Sequence, residues 1–252
     1  MTRRYLLFGL VCFFLGFAVH VDGSERIKLY AFYTPSHKVF LDKWFLASLQ
    51  DDYEIILECY DQSCESGDFM KGGWIETMLH KVDLVLRGIK ENWGKVFIHS
   101  DIDIQFFRPT QKVILDFMQD QDMVVQRDRP SEGKNWKALC AGFFACRGNE
   151  KTLKLWSEIR RRLSDKKYIH DNPITNDQEE LNYLLIKNNI FDVRWKVLSD
   201  EFFGGGTRTG KRWNPGDSLP IPAGIFMHHA NWTVGLDNKL AQLEYVRALQ
   251  KK

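Results

Sequence analysis

Three short apolar runs with strong strand preference, at 27–33, 53–59 and 96–98, are separated by two segments whose apolar residues recur at helical spacing. This alternation constrains the fold more than any other feature. In the first helical segment Phe40, Trp44 and Ala47 share a face, and in the second Trp74, Met78, Val82, Val85 and Ile89 do. Thr34, Pro35 and Ser36 break the first run, and the polar stretch 61–73 reads as a loop. The order strand, helix, strand, helix, strand predicts one α/β, Rossmann-like domain with a mixed, mostly parallel central sheet flanked by helices.

The third run continues into Lys-Val-Phe-Ile-His-Ser-Asp-Ile-Asp-Ile-Gln-Phe-Phe, residues 95–107. Side chains alternate along a strand, so Asp101 and Asp103 are expected on one face and Ile102 and Ile104 on the other. Two carboxylates two residues apart suit a hard divalent cation, which can hold and neutralise a diphosphate. Ligands of open α/β sheets gather at the carboxyl ends of strands, where this pair is expected. Asp-x-Asp also recurs by chance, and a solvated strand end is the alternative reading of the pair taken alone.

Beyond the pair, the pattern predicts a helix at 113–118, a strand at 123–126 and an apolar strand at 140–146 interrupted by Gly142. A helix carrying Thr152, Trp156, Ile159 and Leu163 follows, then one opened by Asn-Asp-Gln-Glu-Glu at 176–180, where Asn176 or Asp177 would be the cap. A strand is expected at 191–197, and Leu240, Leu243, Val246 and Leu249 mark a closing helix. The charged stretch 127–137 reads as an exposed loop, and the glycine run 204–206 as a mobile lid or linker, since it lacks phosphate-loop spacing.

At 252 residues the chain suits one domain, and a net charge of +2 shows no basic excess of the kind that marks a nucleic-acid partner. Arg3 and Arg4 precede an apolar run at 5–19, the pattern of a cleaved secretory signal or a short signal-anchor over residues 1–24, with Gly23 before the cut. Residues 25–252 are then the folded domain, placed in the secretory pathway or at a membrane: the Golgi or ER lumen in a eukaryote, outside the cytoplasm in a bacterium. Cys59, Cys64, Cys140 and Cys146 allow a local Cys59–Cys64 disulfide or buried free thiols, and their spacing is unlike that of zinc sites.

Four ordered blocks, His-Ser-Asp-Ile-Asp-Ile, Ala-Gly-Phe-Phe-Ala-Cys-Arg, Asn-Asp-Gln-Glu-Glu-Leu-Asn and His-His-Ala-Asn-Trp-Thr-Val-Gly-Leu-Asp-Asn-Lys, resemble the nucleotide-diphospho-sugar transferases, Asp-x-Asp glycosyltransferases of GT-A fold. The resemblance spans residues 27–249. It implies that Asp101, Asp103 and His229, the last preferred over His228, ligate Mn²⁺ or Mg²⁺, with Asp101 also near the ribose of the donor. It implies that Gly235 and Lys239 approach the diphosphate and that Lys81 contacts substrate. Gly142 and Phe143 would line the acceptor side, Asp177 and Gln178 would lie at the anomeric carbon as catalytic groups, and Asn231 and Trp232 would be site residues. Asn231-Trp-Thr is also a glycosylation sequon. The donor implied is a nucleotide-diphospho-sugar, the acceptor a glycan, lipid or protein, and the outcome retention at the anomeric centre. Two rivals remain: a sugar-binding protein of the same fold without turnover, and an Asp-x-Asp phosphatase, in which Gln105 would replace the usual Thr or Val.

Overall fold

The computed structural model describes residues 26–62, 72–130 and 138–251. The leader, Cys64 and residues 131–137 of the charged loop lie outside those residues. β1 (Lys28–Tyr33) leads through α1 (Lys38–Phe40), a π turn over Leu41–Phe45 and α2 (Leu46–Ser48) to β2 (Glu54–Cys59), and α3 (Trp74–Glu91) leads to β3 (Val96–Ser100). β4 (Ile104–Phe106), α4 (Gln111–Met118), β5 (Met123–Arg127) and β6 (Leu139–Arg147) follow. Then come α5 (Glu150–Ser164), α6 (Lys166–Asp171), α7 (Asp177–Asn182), β7 (Trp195–Val197), β8 (Phe202–Gly204), β9 (Met227–His229) and α8 (Leu236–Gln250).

Six strands form the main sheet in the order β2-β1-β3-β6-β5-β7. β1 runs parallel to β2 and β3, β6 is antiparallel to β3 and β5, and β7 is parallel to β5. The sheet is mixed, as expected, with β6 the reversed strand at its centre. Alternation sorts the apolar residues into two layers. Tyr30, Phe97, Phe144 and Cys146 face α3, α5 and α7 with Val82, Ile89, Trp156 and Leu181, while Leu29, Ala31, Ile98 and Val124 face Phe40, Trp44, Phe45 and the second sheet. Burying each large side chain in these layers contributes about 1.5–3 kcal/mol.

The first helix departs from its expected face: the π turn carries Phe45 inward beside Trp44, and Ala47 is exposed. One extra residue in the turn rotates everything after it. The strand through the carboxylates is also not continuous. β3 stops at Ser100, Ile102 and Asp103 form a bend, and β4 joins a separate three-stranded sheet in the order β4-β9-β8. Bending there returns Ile104 and Phe106 to the core, where Phe106 meets the rings of Phe45 and Phe143. The expected strand at 191–197 is reduced to β7, because Phe191 and Asp192 turn, with Asp192 at φ +52°.

Candidate functional site

The ladder between β5 and β6 slips: Val125 stands opposite Phe144, but Gln126 stands opposite Cys140, so Ala141, Gly142 and Phe143 have no partner on β5. The core records the slip, since Leu139, Ala141, Phe144 and Cys146 all face one layer, a phase that strict alternation forbids. Site residues take up the freed backbone groups. Asp101 N–H donates to Gly142 O at 2.7 Å, and Ala141 N–H donates to Gln178 Oε1 at 3.2 Å. A side chain could not replace the Gly142 hydrogen, because a Cβ there would stand 2.3 Å from His229 Cε1 and 2.7 Å from Asp101 Oδ2.

Pairing of β4 with β9 brings Ile104 opposite His229, so the imidazole faces the bend that carries the carboxylates. His229 Nε2 lies 3.3 Å from Asp103 Oδ1 and 3.9 Å from Asp101 Oδ2, and one donor atom from each of the three residues lies within 4.8 Å of the others. Two carboxylates and an imidazole in such a cluster fit a divalent cation. It is the one cluster of this kind among the described residues. His228 points the other way, bonding Gln105 and stacking on Phe203, and burial drives its pKa down to about 3.

Two lysines compensate the carboxylates. Lys81 is not a solvated helix lysine: 3 % exposed, it places Nζ 3.1 Å from Asp101 Oδ1 and 3.1 Å from Asp177 Oδ2. Lys239, on α8, bonds Asp103 Oδ2. Burial disfavours the charges on Lys81, Asp101, Asp103 and His229, and the partners prevail. The Lys81 charge, helped by His99, holds Asp101 at about 2; Lys239 and His229 hold Asp103 well below the usual range; the Asp103 carboxylate lifts His229 to about 10.

Asn176 caps α7 by accepting from Glu179 N–H, which places Asp177 in the first turn. Asn182 exchanges two hydrogen bonds with the Leu139 backbone and so ties the helix to β6. Asp177, Gln178, Asp101, Asp103, His229, Asn231, Trp232, Gly235 and Lys239 all line one cleft of about 430 Å³. Tyr33, His37, Trp74, Arg129 and Arg212 also line this cleft.

The sequence pattern of the nucleotide-diphospho-sugar transferases matches residues 41–243. The chain belongs to that family. The search of curated proteins finds no match. Among solved structures, the glycosyltransferase GlyE of Streptococcus pneumoniae TIGR4 aligns at a TM-score of 0.54 and 11 % identity, over 87 % of this chain and 60 % of that one. A glycosyltransferase involved in glycosylation of the major capsid of PBCV-1 aligns at 0.49 and 8 % identity (71 % and 85 % coverage). The galactosyltransferase LgtC, solved with donor and acceptor sugar analogues, aligns at 0.46 and 12 % identity (89 % and 95 % coverage). The GlyE likeness speaks to the fold: a GT-A glycosyltransferase architecture.

In this transferase not every expected site residue reaches the cleft. Phe143 is fully buried between Phe106 and Phe202, because the slip in β6 turns it into the core, and only Gly142 of the pair lines the cleft. The glycine run is no lid. Gly204 ends β8, all three glycines are buried, and a Cβ on Gly206 would stand 2.2 Å from the Trp232 ring. Trp232, at φ +56°, donates from Nε1 to Asp128 Oδ1 at 3.0 Å, and Asn231 Nδ2 donates to the same oxygen at 3.3 Å. Asp128 was expected in an exposed loop and is 2 % exposed, so burial raises its pKa even against Trp232 and Arg129.

Four participants escaped the sequence reading: Gln126, Asp128, Cys140 and His99, whose Nε2 lies 3.6 Å from Asp101 Oδ1. Gln126 and Asp128 had a signal, since alternation from the apolar Val124 places polar groups at the next two positions of its face. Cys140 and His99 had none.

Proposed function

We propose that the chain transfers a sugar from a nucleotide-diphospho-sugar to an acceptor hydroxyl of a glycan, lipid or protein, with retention of anomeric configuration. Asp101, Asp103 and His229 would hold Mn²⁺ or Mg²⁺. The observation that carries this reading is the convergence of that donor set, two lysines and the Asp177-Gln178 pair on one cleft. When bound, the cation would neutralise the diphosphate as it departs.

The chain's own groups divide the remaining work. Lys239 approaches from the first turns of α8, where its ammonium can pass from Asp103 to a phosphate oxygen. Lys81 Nζ lies 3.1 Å from Asp177 Oδ2 and fixes that carboxylate beside the site, where it can stabilise positive charge developing at the anomeric carbon. Gln178 has its carbonyl oxygen occupied by the Ala141 N–H, which leaves its NH₂ as the group free to donate to a sugar hydroxyl. Gln178 therefore acts as a positioning donor and Asp177 as the electrostatic partner. Of the two neighbouring carboxylates that could serve an inverting reaction as base, Glu180 is bonded to Arg162, Tyr168 and Thr175 and is not among the groups lining the cleft, whereas Glu179 lines it. The reading of retention rests on the Asp177-Gln178 pair, which matches the retaining-type pattern. The leader read from the sequence places the reaction in the secretory pathway or at a membrane, and among the described residues no helix is long and apolar enough to cross one.

The test is incubation with a nucleotide-sugar panel with Mn²⁺ and with chelator. Mn²⁺-dependent transfer from one donor is expected, with an α-linked product from an α-linked donor by proton NMR. A β-linked product overturns retention, and donor binding without turnover under all conditions returns the binding-protein reading.

A further inference from the structure

Gln126 is a fully buried amide on β5, next in line after two apolar valines and facing the layer where Val124 packs. A core-facing strand position of this kind ordinarily takes an apolar residue, since burying an amide is costly unless both of its ends are bonded. Both ends are bonded here. Nε2 donates to the backbone oxygen of Phe202 on β8 at 3.1 Å, and Oε1 lies 2.9 Å from His229 Nδ1 on β9. The slip in the β5–β6 ladder falls immediately before Gln126 and re-aims it toward these partners.

We propose that Gln126 is the positioning residue for His229: it holds a proton on Nδ1 and turns Nε2 toward the two carboxylates. The argument is one of donors and acceptors. The Phe202 oxygen can only accept, so the amide NH₂ must face it, and Oε1 must face the imidazole. An amide oxygen also only accepts, so Nδ1 must carry a hydrogen. When Nε2 gives up its proton to a cation, the lone pair it offers is on the atom 3.3 Å from Asp103 and 3.9 Å from Asp101. The Cys140 thiol, at 3.7 Å from the same Nδ1, is a weaker and longer contact. Because Gln126 bonds β8 and β9 together from the main sheet, it also sets the height of His229 relative to Asp101, which that sheet carries.

This inference rests on the metal-site reading, and the experiment separates the two. In the full chain, Gln126→Leu removes the acceptor at similar volume, whereas Gln126→Glu keeps an oxygen facing Nδ1 and, as the buried acid, an O–H that can donate to the Phe202 oxygen in place of Nε2. Mn²⁺ affinity is read by the electron paramagnetic resonance of free Mn²⁺, and the Nδ1–H proton of His229 is read by ¹H–¹⁵N NMR of the metal-free protein. Gln126→Leu is expected to weaken Mn²⁺ binding about 10- to 100-fold and to lose the slowly exchanging Nδ1–H signal, with unchanged circular dichroism. Gln126→Glu is expected to recover most of the affinity. Affinity within about twofold of the wild type in Gln126→Leu overturns the proposal, and so does equal loss in both variants, which would reduce Gln126 to packing. A wild-type protein that lacks a protected Nδ1–H overturns it without any variant. If the wild type shows that signal but binds no Mn²⁺, the metal reading fails and the orientation of His229 by Gln126 stands.

Discussion

Asp101 follows directly on β3 of the six-stranded sheet, whose neighbours Leu29, Phe97, Ile98 and Phe144 are all fully buried, whereas His229 ends a three-residue strand. The small sheet of that strand reaches the core through Ile104, Phe106 and Met227 and also carries a network of side-chain hydrogen bonds. In the small-sheet layer Gln105 bonds His228 and the Leu243 backbone, Arg247 donates to Gln105, and Gln242 donates to Thr233. Apolar layers tolerate exchange of shape because dispersion and burial are not directional. Amide networks do not, since each bond has a direction and a buried polar atom left unpaired costs about 1–3 kcal/mol. The main sheet should therefore govern stability and the small sheet the geometry of the site.

The largest effect that would sharpen this contrast is at the shared cluster. Asp103→Ala is expected to abolish metal binding and lower turnover at least about a thousandfold, since a bound cation supplies several kcal/mol of charge stabilisation. His229→Ala should approach that loss, and melting of both variants should stay cooperative. Calorimetric metal titration with steady-state kinetics checks this, and an unaffected His229→Ala enzyme would remove the small sheet from the chemistry.

Next come two substitutions that set the regions against each other. Leu29→Ala, in the main sheet, should destabilise by about 2–5 kcal/mol and leave kcat/KM within about twofold at temperatures where the protein is folded. Gly206→Ala drives a methyl into the Trp232 ring and should cost about 1–3 kcal/mol, yet lower kcat/KM by tenfold or more because Asn231 and Trp232 move. Urea unfolding with kinetics on the same samples reads both. Equal kinetic damage from the two would break the comparison.

A further effect is the pH dependence of metal binding. His229 is lifted to about 10 in the metal-free protein, against burial, by the Asp103 carboxylate, so a cation must displace a proton at neutral pH. Mn²⁺ affinity should rise about tenfold per pH unit up to pH 10, with about one proton released per ion, measured in buffers of different ionisation enthalpy. The same shift works oppositely on the metal-free fold. The raised pKa stabilises it fully below the unfolded histidine value, and this contribution fades as pH climbs through about 10. Affinity independent of pH between 6 and 8 would argue against a charged His229.

Local pattern was enough to read most strands of the main sheet, α3, α5 and the order of the blocks that carry Asp101, Asp103 and His229. Each of these is written in a local period or a local motif, and local periods decide which face of an element is buried. Lys81 was legible as a position on α3, but its burial between Asp101 and Asp177 required α3, β3 and α7 to meet. Only the tertiary structure decided that Gly142 backs His229, that Phe143 turns inward, that the 204–206 glycines are buried, and that Gln126 and Asp128 face β9 and the turn after it. Asp103 with Lys239 is a contact 136 residues apart, and Asp128 with Trp232 one of 104. Such bonds pair a donor with an acceptor across layers whose spacing depends on every packed side chain between them. The slip in β6, which leaves Ala141, Gly142 and Phe143 without a partner on β5, redirects several of these groups at once, and no window of sequence around Gly142 contains the partners that make that slip favourable.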